Sequence, residues 1–243
     1  MLVAEHVTNT VTEVNFASEN INAYTVRHVT DYFIGKRSIV VNMGDCEIYV
    51  DEQPQKGLAP RQSTVLRNKI IKAADLILVL EVQSKVNIGN VILSENWDSA
   101  QSLFGEPLAG IPLWKSPQVE IGETELNPYE ILNQCTSQKH KVKFKIKVNI
   151  WFATPKTNCA IHNQHDFIEF HTQIMGIGRM QKFDTNKTET LYQDVILAEG
   201  NTHNIFCDVY NNGYSYNYPW HQYYSDTDCI WMATELHPVP ITN

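Results

Sequence analysis

Residues 161–178 read IHNQHDFIEFHTQIMGIG, which places His162, His165, Glu169 and His171 within ten positions and ahead of Gly176 and Gly178. Imidazole and carboxylate groups are the donors that hold divalent transition metals, and a reactive site needs several of them converging on one point with a coordination position left open. On a strand, residues two apart share a face. That rule groups Glu169, His171 and Gln173, and leaves His162 and His165 at the turn or strand end just before them. A distant segment must supply a further donor. Histidines 162, 165, 171, 203, 221 and 237 all fall in the second half of the chain, so metal chemistry is expected there.

The elements that must position these groups are strands. Short β-branched runs bounded by Gly, Asn, Asp and Pro recur along the chain, whereas long helical periodicity is missing. In KHKVKFKIKVNIW, Lys139, Lys141, Lys143, Lys145 and Lys147 alternate with Val142, Phe144, Ile146 and Val148. This is the period of a strand with one solvated and one buried face, a simpler reading than a basic ligand-binding strip. SIVVNMGDCEIYVDEQ reads as a hairpin turning at Asn42–Asp45. Between Asn96 and Gln134, Pro107, Pro112, Pro117, Pro128, Gly105, Gly110 and Gly122 break every periodic run, which predicts connecting structure between two units. A short helix is expected at Pro128–Gln134, with Asn127 as its N-cap.

Against this background, HNQHDFIEFHTQIMG resembles the first motif of the cupin superfamily. Three residues separate His165 from Glu169 and six separate Glu169 from Gly176. LAEGNTHNIF resembles the second motif, with two residues between Gly200 and His203; Ala198 stands where proline is common and Cys207 where asparagine is common. The histidine pair is spaced H-x-x-H here instead of H-x-H. The resemblance implies an all-β, cupin-type double-stranded β-helix, a jelly roll, in two tandem β-barrel units. Their expected extents are 1–115 for a degenerate, metal-free N-terminal unit, 116–138 for a connector and 139–243 for the metal-bearing unit. In the first half, GLAPRQSTVLR resembles a second motif with Arg61 at a ligand position.

The implied metal donors are His165, Glu169, His203 and His162, with Asn163 and His171 as alternatives for the last place. Fe(II) is the favoured ion; Mn, Ni and Zn are the others. His171 or Tyr223 would serve as acid or base. Gln173, His221, Trp220 and Tyr218 would line a substrate pocket, the last three from the aromatic segment YNNGYSYNYPWHQYY. The implied activity is that of a metal-dependent enzyme acting on a small molecule, oxygenase chemistry being favoured and isomerase, lyase or decarboxylase chemistry the alternative. The competing reading is a binding or structural cupin without turnover.

Composition narrows the partners. The 243-residue chain is 43% hydrophobic and 19% charged, the balance of an ordered globular protein, and its formal charge of −8 leaves no broad basic surface for nucleic acid. No helix-turn-helix segment is evident. The apolar run in AADLILVLEV is too short to span a bilayer, and MLVAEHVTNT lacks a basic region followed by an apolar core, so a cytoplasmic protein is expected. Five scattered cysteines without a CxxC pair point to reduced, mostly buried thiols, with Cys159 close enough to the histidines to line the site. The resemblance also implies a homodimer.

Overall fold

Strands form nearly everywhere the period-2 pattern occurs in the computed structural model, which describes residues 7–132, 134 and 140–240. In the first half these are β1 (Thr10–Glu13), β2 (Ile21–Ile34), β3 (Ser38–Asn42), β4 (Ile48–Tyr49), β5 (Gly57–Leu58), β6 (Ser63–Leu66) and β7 (Lys69–Val82). A five-stranded antiparallel sheet takes the order β1-β2-β7-β3-β6. β3 is buried along its whole length because both of its faces are covered: Ile39 and Val41 pack on one side, Val40 on the other.

The anticipated hairpin after β3 does not form. β3 pairs with β6 and β7, while β4 pairs with β5. The Asn42 side chain explains the departure, since its amide donates to the carbonyls of Cys46 and Leu58 and its oxygen accepts from the Gly44 N–H. Those bonds hold an open loop in place of a tight reversal.

The Pro- and Gly-rich stretch contains β8 (Asp98–Ser99), α1 (Ala100–Phe104), β9 (Leu113–Lys115), β10 (Val119–Leu126) and α2 (Pro128–Ile131). In α2 the Asn127 oxygen accepts from the Tyr129 N–H, the cap its sequence predicts. β11 (Val142–Ala153) pairs with β9 and β10, so the interrupted stretch supplies strands to the second half. Beyond it run β12 (Ile168–Met175), β13 (Gly178–Phe183), β14 (Leu191–Leu197), β15 (Asp208–Tyr210), β16 (Ser215–Asn217), β17 (Trp220–Ser225) and β18 (Cys229–Pro238). One sheet runs β12-β18-β11-β9-β8, with β10 on β11, and a second runs β14-β13-β17. The architecture is all-β, as expected.

Alternation decides what each face of β11 does. Val142, Phe144, Ile146, Val148, Ile150 and Phe152 are buried in a core shared with Ile21, Ile39, Val41, Leu78 and Leu80 of the first sheet. Removing six such side chains from water contributes on the order of 10 kcal/mol before chain entropy is counted. On the other face Lys143 pairs with Glu123 at 2.6 Å and Lys145 with Glu120 at 3.2 Å. Exposed pairs of this kind are worth about 0–1 kcal/mol each, so the apolar face fixes the strand and the lysines keep it solvated. A second core between the two later sheets gathers Leu113, Ala153, Met180, Leu197, Tyr223, Cys229 and Trp231. Cys46, Cys159, Cys207 and Cys229 are free thiols, while Cys135 and Lys139 lie outside the described residues. Among the described residues no helix is long and apolar enough to cross a membrane.

Candidate metal centre

β12 is buried on both faces. Ile168, Phe170 and Ile174 enter the large core, which turns Glu169, His171 and Gln173 to the opposite side, the grouping expected from strand period. Glu169 is fixed at the backbone by Tyr218, whose hydroxyl accepts from the Glu169 N–H at 2.8 Å and donates to the Phe167 carbonyl at 3.1 Å.

Facing this strand, the backbones of His162 and His221 form a reciprocal pair, His162 N–H to His221 O at 2.9 Å and His221 N–H to His162 O at 2.8 Å. This bridge places β17 against the segment ahead of β12. His162, His165, Glu169 and His221 then bring one donor atom each within 4.8 Å of one another, the one such group found among the described residues. His165 Nε2 lies 3.2 Å from His221 Nε2, and Glu169 Oε1 lies 3.4 Å and 3.6 Å from these two nitrogens.

The donor set fits a divalent transition metal on three grounds. First, bonds of about 2.1 Å from a common ion put neighbouring donors about 3.0–3.4 Å apart, from octahedral to tetrahedral coordination, and the 3.2–3.6 Å separations among His165, Glu169 and His221 lie close to that range, with His162 within 4.8 Å of them. Second, Glu169 Oε1 is buried and makes no hydrogen bond, an orphaned acceptor in need of a cation. Third, His162 Nδ1 is 3.0 Å from the Ala160 carbonyl and His221 Nδ1 is 2.9 Å from the Pro219 carbonyl. A carbonyl can only accept, so both protons reside on Nδ1 and both Nε2 atoms are left as acceptors, the outer support that metal-bound histidines ordinarily have.

Electrostatics agree. Burial, with His221 alongside, pushes the His162 imidazole down to about 4, and burial also lowers His165, so neutral rings are favoured. Burial works to raise the Glu169 carboxyl, but His165 and His171 beside it hold it well below the usual carboxylate range.

Other expected site residues fall differently. His203 is not in the donor group: its Nδ1 donates to the Asn204 carbonyl at 2.8 Å, and its Nε2 accepts from the His171 N–H at 3.0 Å and the Tyr223 hydroxyl at 2.7 Å. With both nitrogens engaged it is a satisfied buried histidine. Tyr223 therefore faces His203, and burial raises its phenol well above the ordinary value, keeping it a donor. His171 stacks on Tyr223 at 3.9 Å, with its Nε2 3.4 Å from Glu169 Oε2. Gln173 is fully buried, and its amide donates to the Met175 carbonyl. Trp220 is half-exposed on β17 and alternates away from His221. Tyr218 and Phe206 stand 5.5 Å and 5.0 Å from the His221 ring. A groove of about 780 Å³ bordered by Arg61, Gln62, Glu125 and Asn204 reaches His203 but none of the four donors.

His203 carries a pH prediction. Burial, then nearby His171, pushes its imidazole from 6.5 down to about 3. Between those values the unfolded chain binds a proton that the folded chain refuses, so stability falls as pH falls through this window. At pH 5 the loss from this group is about 2 kcal/mol. In chelator, the stability advantage of wild type over His203→Gln should shrink by that amount between pH 7 and 5 in urea titrations. A pH-independent gap would show that His203 is not held neutral.

No family model and no curated protein matched the sequence. Solved structures did. Over 95% of its length this chain matches 91% of a cupin 2 conserved barrel domain protein from Leptotrichia buccalis, at 13% identity and a TM-score of 0.29. Over 97% it matches 76% of a variant of Bacillus subtilis oxalate decarboxylase, at 10% identity and a TM-score of 0.30. The chain is similar to cupin proteins. At such low identity and TM-score the cupin likeness names neither a metal nor a reaction, and the donor assignment rests on the distances and tautomers above.

Proposed function

We propose that the protein is a cupin-type metalloenzyme that holds a divalent transition metal through His162, His165, Glu169 and His221 and acts on a small molecule. The observation that carries this reading is the convergence of three imidazoles and an otherwise unpartnered buried carboxylate oxygen. A nitrogen-rich set with one carboxylate suits Fe, Mn, Co, Ni or Zn better than Mg or Ca, and Fe(II) and Mn(II) are the ions to offer first. When bound, the metal supplies Lewis acidity and a place for substrate and oxygen or water to meet.

The chain's own groups do the rest. The Ala160 and Pro219 carbonyls hold His162 and His221 in the Nδ1–H tautomer. Tyr218 fixes the Glu169 backbone, and His171 beside Oε2 leaves Oε1 turned to the histidines. The rings of Phe206 and Tyr218 pack against His221 and lower the local polarity, which strengthens charge interactions within the site. His221 is fully buried and Glu169 nearly so, whereas His162 and His165 keep a small accessible margin, 10% for the His165 side chain; that margin is where a small molecule would arrive.

The depth of burial also favours a second reading, a metal-binding cupin without turnover. Both are tested on untagged protein purified without chelators. Near-stoichiometric iron or manganese by elemental mass spectrometry, followed by oxygen uptake with a panel of small organic acids, is the expected outcome. Metal without any turnover would favour the second reading. Failure to take up iron, manganese, cobalt, nickel or zinc anaerobically would remove both.

A further inference from the structure

Directly opposite His221, β13 carries Lys182. Opposed residues of an antiparallel pair project to the same face with Cβ atoms about 5 Å apart, so the lysine stem runs beside a metal donor. Its ammonium lies over the Phe206 ring, 4.7 Å from the centroid, and that ring stands edge-on to His221 at 5.0 Å. Three other strand lysines have acids against them: Lys72 with Asp31 at 3.2 Å, Lys143 with Glu123 at 2.6 Å and Lys145 with Glu120 at 3.2 Å. Lys182 has no carboxylate partner among the described residues. It is half-buried, and desolvation lowers its pKa with no acid to offset the effect.

A partly desolvated ammonium without a counter-ion is costly to keep. The cation–π contact returns about 0.5–2 kcal/mol, which leaves room for a much better partner. A metal bound by one carboxylate and three neutral imidazoles also retains positive charge. Phe206 packs against both the Lys182 ammonium and the ring of the donor His221, so one short molecule lying along this aromatic floor would have the ammonium at one end and the donor group at the other. The geometry points to Lys182 as the anchor for the distal acidic group of a short dicarboxylate whose other carboxylate meets the metal. This assignment rests on the metal reading given above. Lysine suits the role because its compact charge on a flexible stem accepts a carboxylate without demanding a fixed fork geometry.

The test uses the full chain loaded with Co(II), whose visible bands report changes of coordination, with malonate, succinate and acetate as probes. Lys182→Met keeps the stem and removes the charge; Lys182→Arg keeps the charge. Malonate or succinate should perturb the wild-type bands, and their affinity should fall about 10- to 100-fold in Lys182→Met, the range for loss of a charged hydrogen bond. Acetate binding and cobalt content should hardly change, and Lys182→Arg should restore most of the loss. Equal dicarboxylate affinity in wild type and Lys182→Met, with cobalt bound in both, would overturn the anchor and leave the metal reading standing. Absence of cobalt bands would overturn the metal reading instead. In that case, calorimetric titration of malonate into metal-free wild type and Lys182→Met scores the anchor alone: a Lys182-dependent affinity upholds it, and none overturns it.

Discussion

His221→Ala is expected to lower divalent-metal affinity by at least about a hundredfold, while His203→Ala keeps the metal. Changes to groups that merely support a metal ligand already cost about 10- to 100-fold, and loss of a direct donor exceeds that. His221 Nε2 stands 3.2 Å from His165 Nε2 and 3.6 Å from Glu169 Oε1, with its other nitrogen tied to the Pro219 carbonyl. Its removal breaks the donor polygon and leaves Glu169 Oε1 with one imidazole fewer beside it.

His203→Ala should act on stability instead. It strands the Tyr223 hydroxyl and the His171 N–H, both of which His203 Nε2 accepts. Burying such groups without a partner costs about 1–3 kcal/mol each, so a loss of about 2–4 kcal/mol is expected. Anaerobic Fe(II) or Co(II) titration of both variants, paired with urea unfolding, separates the two effects. If a folded His203→Ala protein loses the metal and His221→Ala keeps it, His203 belongs in the ligand set and the geometric assignment fails.

The contrast between these histidines shows which parts of the site were legible in the sequence. Glu169, His171 and Gln173 could be placed on one face because strand alternation is local, and Lys143, Lys145 and Val142 to Val148 followed the same rule. Asn127 announced its cap through the proline after it. The position of His221 depends instead on a pairing across the fold, since its only strand-like contact with the first histidine is the isolated bridge to His162. No spacing rule reaches across that separation. What the sequence did hold was the i, i+2 relation between His221 and Tyr223, which turns both inward on β17, together with the aromatic setting that marks the strand as enclosed.

His203 misleads for a related reason. Its spacing from Gly200 fits a metal motif, yet the Tyr223 hydroxyl and the His171 N–H claim its lone pair. Competition for a lone pair is decided by three-dimensional neighbours. The connecting stretch was misleading in a different way: prolines and glycines bound short strands as readily as they mark loops, and β9 and β10 find their partner in β11.

Gly176→Ala is expected to destabilise the fold by about 3–5 kcal/mol, among the larger effects of a single methyl group. Gly176 ends β12 at φ 78°, in the left-handed region where an L side chain is strained by about 1–2 kcal/mol. A Cβ there would also run into the Asp228 carbonyl oxygen and stand 2.7 Å from Thr227 Oγ1. Asp228 cannot rotate its backbone carbonyl aside, and Thr227 is already committed, since its hydroxyl accepts from the Ile177 N–H at 2.9 Å. Gly110→Ala is the control, because Gly110 has nearly the same φ, 75°, but a Cβ there meets nothing within 4 Å. It should lose only the conformational part, about 1–2 kcal/mol. At about 2–4 °C per kcal/mol for a chain of this size, Gly176→Ala should melt roughly 10 °C below wild type and Gly110→Ala only a few degrees below. The difference between the two isolates the contact with the 227–228 turn. Gly176 and Ile177 carry the chain from the strand bearing Glu169 to the strand bearing Lys182, so whatever folded Gly176→Ala protein remains should bind metal and dicarboxylate more weakly together. Equal melting of the two variants would mean that the turn yields, and that the relative placement of β12 and β13 is held by the Trp231 core instead.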